Sequence, residues 1–259
     1  MREYEASILQ TEKCGQNTYI IELFCEEIAG EVVPGQFVQV RAGSGTEPFL
    51  RRPFSVSGAD RNSGRIKLLV EVVGRGTALL CSKKAGESLS VIGSLGKGFD
   101  MELGGKGPCI LVAGGSGAAP LLFLAEELMK SGKRAVTFMM GAQTAGDLKV
   151  AGSLTERGIT VIKSTDDGSV GYHGMVSELL SDNITGIKPE VIYTCGPRAM
   201  MKEVARIAEK SSVPCQVSLE ERMACGTGVC LGCAVNLIDG RMVRSCVDGP
   251  VFNASEVVL

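Results

Sequence analysis

Four cysteines near the C-terminal end constrain this chain more than any other feature. Cys225, Cys230, Cys233 and Cys246 are spaced C-x4-C-x2-C-x12-C. A C-x4-C-x2-C run with a distant fourth cysteine is the plant-type [2Fe–2S] spacing, in which four thiolates hold two irons. Three ligands then come from one loop and the fourth from a following strand. Gly226, Gly228 and Gly232 interleave with the cysteines. They let the loop turn tightly and bring backbone N–H groups to the sulfurs. A structural zinc site with four thiolates is the competing reading. Zinc sites favour two short C-x2-4-C knuckles, and Cys233 and Cys246 lie too far apart to form the second one. Four unliganded thiols are the remaining alternative.

Composition removes other classes. The start, MREYEASILQ, carries acids and no long apolar core, so no secretory signal is expected. In the reducing cytoplasm, ten cysteines serve as ligands, redox groups or small buried hydrophobes before they serve as disulfides. No run approaches the ~20 apolar residues that span a bilayer. With 27 Lys and Arg against 29 Asp and Glu, the chain has no basic excess for nucleic acid. Its one histidine, His173, rules out a His-rich metal site. His173 lies in a polar segment, Asp166–Gly174, and reads as a solvated loop residue.

Three segments follow from the pattern. Residues 1–102 hold β-rich runs at Tyr4–Leu9, Thr18–Cys25, Phe37–Arg41, Ile66–Val73 and Ser88–Gly93, with one short helix at Thr77–Lys83. This predicts a β-barrel. Residues 103–212 alternate strands (Cys109–Ala113, Ala135–Met140, Ile159–Lys163, Val191–Cys195) with helices (Ala118–Ser131, Met175–Leu180, Arg198–Lys210), which predicts a Rossmann-like α/β domain with a parallel sheet. Residues 213–259 hold five of the cysteines and little helical periodicity, a small C-terminal [2Fe–2S] domain.

Inside the first segment stands Arg51-Arg52-Pro53-Phe54-Ser55, followed by Leu69-Val70-Glu71 and Gly74-Arg75-Gly76-Thr77. An arginine can pair with a pyrophosphate through two charge-assisted bonds. The Phe54 ring can lie against a flavin, and the Ser55 hydroxyl can donate to flavin N5. Gly76-Thr77 opens a helix, whose free N–H groups hold phosphate. In this order the motifs resemble the ferredoxin–NADP reductase superfamily. There a β-barrel carries FAD and the following domain carries a pyridine nucleotide. The resemblance implies FAD contacts at Arg52, Pro53, Phe54, Ser55, Leu69, Val70, Glu71, Gly76 and Thr77. Phe54 stands where many members have tyrosine, which keeps the stacking face and removes the phenol hydroxyl.

The second segment joins a strand to a helix through Gly114-Gly115-Ser116-Gly117, so backbone can approach a pyrophosphate at Gly114, Gly115 and Gly117. Cys195-Gly196-Pro197 resembles the superfamily's C-G-P segment near the nicotinamide. Cys195 and Ser55 are thereby the candidate catalytic residues, with Cys195, Gly196 and Pro197 also binding nucleotide. Cys195 as a plain buried hydrophobe is the alternative. No arginine follows the second strand at Gly141-Ala142-Gln143-Thr144, and Asp166-Asp167 would repel a 2′-phosphate if they lie close to that strand end. The cofactor expected is therefore NAD rather than NADP.

The run Ser218–Gly226 and the segment Thr165–Ser169 are similar to the electron-transfer subunits of NAD-dependent (class 1B) dihydroorotate dehydrogenase. Their four cluster ligands fall on Cys225, Cys230, Cys233 and Cys246. The resemblance implies a role in pyrimidine biosynthesis. Electrons from the FMN of a catalytic partner subunit would pass through [2Fe–2S] and FAD to NAD+, in a cytoplasmic heterotetramer with two copies of each chain. Alternatives are an NAD(P)H-linked reductase subunit of a ferredoxin- or hydrogenase-type complex, and a non-enzymatic redox or zinc module. The small subunit of NADH-dependent ferredoxin–NADP oxidoreductase has an aspartate at the first cluster position, where this chain has Cys225.

Overall fold

In β1 (Arg2–Lys13) and β2 (Thr18–Phe24), Ala6, Ile8, Ile21 and Leu23 turn inward while their neighbours are exposed or half-buried, the alternation of a half-buried strand. The computed structural model describes residues 2–43, 45 and 47–259. The helix α1 (Glu26–Glu31) and the strands β3 (Phe37–Val40), β4 (Arg52–Asp60) and β5 (Arg65–Glu71) follow. Then come α2 (Arg75–Cys81) and β6 (Ser88–Leu95). The six strands close into an antiparallel barrel in the order β1-β2-β5-β4-β3-β6, the β-barrel expected.

Three local features differ from the sequence expectation. The barrel has a second helix, α1, too short to show periodicity. Glu26 and Glu27 favour its N-terminal turn, and Ile28 and Ala29 are buried. The helix α2 begins at Arg75, earlier than expected, because Thr77 closes the turn at Gly74 with its side chain. The Arg52–Ser55 motif opens a nine-residue strand, β4, that is not among the β-rich runs read from the sequence.

The strand β3 is buried at all four positions. Val38 and Val40 join the barrel core. Phe37 points the other way, into a cluster with Leu95, Cys233 and Cys246. The cysteine segment therefore covers the outer face of this strand.

The second sheet begins with β7 (Cys109–Gly114). A 3-10 turn, Gly115–Gly117, leads into α3 (Ala118–Ser131). Next come β8 (Val136–Ala142), α4 (Gly152–Glu156), β9 (Thr160–Thr165), β10 (Tyr172–His173), α5 (Val176–Ile187), β11 (Val191–Cys195) and α6 (Arg198–Lys210). The chain ends with β12 (Cys215–Ser218), the hairpin β13 (Ala234–Asn236) and β14 (Met242–Arg244), and β15 (Val251–Asn253). The sheet order is β10-β9-β8-β7-β11-β12-β15, parallel except for β15. The strands β7 and β11 are buried throughout, as central parallel strands covered on both faces must be. One face packs on α3, the other on α5 and α6.

Two features fix how the parts meet. Phe123 of α3 is buried in the barrel core, and Leu69 of β5 is buried in the core under α3, so α3 is a wall common to both. The cysteine segment leaves the sheet at β12 and returns to it at β15, which pairs with β12. His173 lies exposed on the edge strand β10. Among the described residues no helix is long and apolar enough to cross a membrane.

Candidate functional site

The flavin-motif residues come from three elements, β4, β5 and α2. Arg52 opens β4, and its Nη1 donates to the Leu50 carbonyl at 2.6 Å. Its guanidinium lies over Gly76 of α2, where a Cβ would stand 3.1 Å from Nε. Gly76 thus makes room for the arginine that the sequence assigned to the same phosphate. The Thr77 hydroxyl is spent inside the turn: Oγ1 accepts from the N–H of Val73 and Gly74 at 3.0 and 3.2 Å and donates to the Gly74 carbonyl. Toward a phosphate, Thr77 has only its backbone to offer. Leu69 and Val70 are buried in two different cores, leaving Glu71 exposed at the strand end. Phe54 is half-buried, with its ring against the barrel core. Ser55 pairs with Phe37 and Pro53 pairs with Gln39 across β4 and β3. Cross-strand partners share a face, so Pro53 and Ser55 lie on the barrel face that the cysteine segment covers.

The nucleotide turn is a contact between two loops. A Cβ at Gly117 would lie 2.5 Å from the Cys195 carbonyl oxygen, and one at Gly114 would lie 2.8 Å from Pro197 Cδ. Gly196 sits against Gly114 in turn. These glycines let the β7–α3 and β11–α6 loops pack backbone to backbone. Gly115, with φ +54° and open space where a Cβ would stand, is the one facing outward. Cys195 is buried; desolvation, then the nearby Glu220 charge, pushes its thiol well above the ordinary range. A thiol kept protonated in this way is no nucleophile.

Glu220 is a residue the sequence reading passed over. Its side chain reaches solvent, yet the protein around its carboxyl and then the Glu71 charge raise its pKa. It stands beside Cys195 and near Glu71 of the flavin motif. The available signal was its place just beyond β12, at the same end of the sheet as Cys195, which pairs with Ser218.

The acidic pair lies where the sequence argument needed it. The N–H of Asp166 bonds the Ala142 carbonyl at 3.1 Å, and that of Asp167 bonds Gln143 at 3.3 Å. Hydrogen bonds from Ser169 hold the Asp167 carboxyl below its usual range. The end of β8 is therefore flanked by fixed negative charge, which disfavours a 2′-phosphate.

The four cysteines meet as two pairs. Cys225 interacts with Cys230 and Cys233 with Cys246, and Cys225 also acts on Cys246, so the two pairs adjoin. Cys233 and Cys246 sit at the two ends of the β13–β14 hairpin, where the Ser245 N–H bonds the Cys233 carbonyl at 2.9 Å. Sulfurs receive backbone N–H groups from Thr227 (Cys225, 3.4 Å), Gly232 (Cys230, 3.5 Å) and Cys246 (Cys233, 3.4 Å). Burial opposes ionisation of Cys225, but the N–H groups of Thr227 and Cys230 outweigh it and lower the thiol to about 6. Desolvation and its bond to Cys233 push Cys246 up to about 12. Among the described residues no three metal-binding side chains close around a point that one ion could fill. Four thiols in adjoining pairs, with N–H groups on their sulfurs, are the donor chemistry of a two-iron cluster, and the residues fit that group.

Residues 220–258 match the family model for the iron–sulfur cluster binding domain of dihydroorotate dehydrogenase B, and residues 111–206 match the oxidoreductase NAD-binding domain. The chain is 41% identical over 258 residues, 98% of each chain, to the electron transfer subunit of dihydroorotate dehydrogenase B (NAD(+)) from Desulforamulus reducens. It is 36% identical over the full length of both chains to the subunit of that name from Geobacillus sp. (strain WCH70). Among solved structures, that of the NADH-dependent reduced ferredoxin-NADP oxidoreductase aligns with TM-score 0.87 and 30% identity, covering 98% of this chain and 89% of that one. A ferredoxin NADP+ reductase from Neisseria gonorrhoeae with bound FAD and NADP aligns with TM-score 0.68 at 19% identity, over 82% of this chain and 92% of that one, a likeness of fold.

Proposed function

The chain belongs to the family of dihydroorotate dehydrogenase B electron transfer subunits, and from that premise we propose that it carries electrons from an FMN-containing dihydroorotate dehydrogenase subunit to NAD+ in pyrimidine biosynthesis. The bound [2Fe–2S] cluster would supply one-electron transfer, and FAD would supply the change from single electrons to a hydride. The observation that carries the reading is the shared barrel face: Pro53 and Ser55 of the flavin motif lie on the side of β3 and β4 against which Cys233 and Cys246 pack.

Each group of residues then has a task. Arg52 and the N–H groups around Gly76 bind the FAD pyrophosphate. Pro53, Phe54 and Ser55 would orient the flavin, with the Ser55 hydroxyl as the donor offered to it, while the backbone at Leu69 and Val70 and the Glu71 end of β5 would border it. Gly115 receives the pyrophosphate of NAD. Gly114, Gly117, Gly196 and Pro197 hold that turn, and Cys195 orients the nicotinamide. Cys225, Cys230, Cys233 and Cys246 ligate iron. The working division is 1–102 for FAD, 103–212 for NAD and 213–259 for the cluster, the last sharing a sheet with the second. We place the protein in the cytoplasm, as a heterotetramer with two catalytic subunits.

The likeness to the NADH-dependent ferredoxin-NADP oxidoreductase favours a second partner class, a ferredoxin-linked complex. Co-expression with the same organism's FMN-containing dihydroorotate dehydrogenase separates the two. Dihydroorotate:NAD+ activity that requires both chains, in a complex with flavin and iron–sulfur absorbance, is the expected result. A chain that holds both groups and is bleached by NADH, yet forms no such complex, would transfer the proposal to the ferredoxin-type partner. A chain without flavin or iron would return the zinc module.

A further inference from the structure

Gln39 is polar, lies in the middle of β3 and is fully buried. Neither its Nε2 nor its Oε1 has a hydrogen-bond partner among the described residues. A buried amide left unpaired is costly, so a native structure keeps one where something else satisfies it. The alternation of β3 sends Val38 and Val40 into the barrel and Gln39 out, beside Phe37, toward the cysteine segment. The amide lies on the residue after Cys225: a Cβ at Gly226 would stand 2.7 Å from Gln39 Cγ and 2.8 Å from Nε2. With φ +69° as well, Gly226 admits no side chain there on either ground. Ser245, next to Cys246, is a second fully buried side chain with an unpaired polar atom in the same region.

We infer that Gln39 of the barrel donates its Nε2–H to a sulfur of the iron–sulfur cluster on the Cys225 side, and that this bond raises the potential at which the cluster accepts an electron. The inference rests on the four cysteines being cluster ligands. Reduction adds one negative charge, spread partly over the sulfurs. A donor aimed at a sulfur stabilises the reduced form more than the oxidised one. Only the NH2 end of the amide can donate to sulfur, so the cluster also sets which way the amide faces. The other sulfur donors, the N–H groups of Thr227, Cys230, Gly232 and Cys246, belong to the cysteine segment itself. Gln39 comes from the strand whose same-face partner is Pro53 of the flavin motif. The cluster's potential is thereby coupled to the docking of its segment on the barrel.

The test is Gln39→Leu in the full chain, scored for iron, flavin and the EPR-monitored midpoint of the cluster. The expected result is unchanged iron and FAD content with a lower midpoint. At the wild-type midpoint the reduced-to-oxidised ratio falls about tenfold, which for one electron is about 59 mV. An iron-replete variant with the wild-type midpoint overturns the proposal. Should the variant lose iron, pulsed EPR on reduced wild type decides, using glutamine labelled with 15N at the side-chain amide. A nitrogen coupling is expected, and its absence overturns the assignment. A wild-type chain that binds no iron overturns both this inference and the reading beneath it.

Discussion

The nucleotide turn and the cysteine segment are both glycine-rich loops, yet they are framed in opposite ways. Between β7 and α3 the glycines serve the protein's own packing: Gly114 and Gly117 press on the Cys195–Pro197 turn, and only Gly115 faces open space. Two fully buried strands hold that arrangement. The run from Glu220 to Cys233 has no helix or strand, and Gly226, Gly228 and Leu231 all have positive φ. Its order comes from thiol pairs, N–H groups on sulfur and the outer face of β3. A site built by the sheet keeps its shape without its ligand. A site built by its ligands depends on the metal, since cluster binding and local folding are one equilibrium.

That contrast can be broken most severely at the ligands. Cys225→Ser should abolish the cluster, with iron content falling to near zero, while FAD stays bound because the flavin motif lies on the barrel segment. Full iron content by metal analysis would show the ligand set to be wrong. Next in size is Arg52→Ala, which removes a charged hydrogen bond and should weaken FAD binding by ~1.5–3 kcal/mol. Flavin titration of the FAD-stripped protein reads the dissociation constant directly, and an unchanged value takes Arg52 off the pyrophosphate. Gly117→Ala sharpens the other half of the comparison. Its Cβ would meet the Cys195 carbonyl at 2.5 Å, and overpacking of that kind costs ~1–3 kcal/mol. Thermal unfolding should fall accordingly, with iron content intact. A variant with wild-type stability would mean that the two loops are not locked together.

The smallest effect concerns Glu220. Its carboxyl is raised on folding. Such a group favours the folded state below its unfolded pKa, and the benefit is lost as pH rises through the folded value. Glu220→Gln removes that dependence. Wild type and variant should match at about pH 4, and the variant should gain on wild type by about pH 8. Parallel unfolding curves across that range would refute the assignment.

Much of this is legible in the sequence. The cysteine spacing pointed to a cluster, and strand–helix alternation pointed to the parallel sheet. Arg52 and Gly76, far apart in sequence, meet at one point because motif order follows the barrel's connectivity. The rest depended on tertiary contacts. α1 is too short for a periodic pattern. Thr77 has the residue type of a ligand contact, but its hydroxyl is consumed by its own turn. Gln39 could have been noticed as the lone polar residue in Phe37-Val38-Gln39-Val40. Sequence alone could not say that both faces of that strand are covered, and that coverage turns a surface glutamine into a buried donor.

The antiparallel strand β15 has a topological consequence. Because it pairs with β12, the cysteine segment is an excursion anchored at both ends and not a loose tail. A protease that cuts the segment after its iron is stripped would therefore release nothing at first. The nicked protein would run as one particle on a sizing column and as two fragments only under denaturing conditions, with the C-terminal piece still hydrogen-bonded into the sheet.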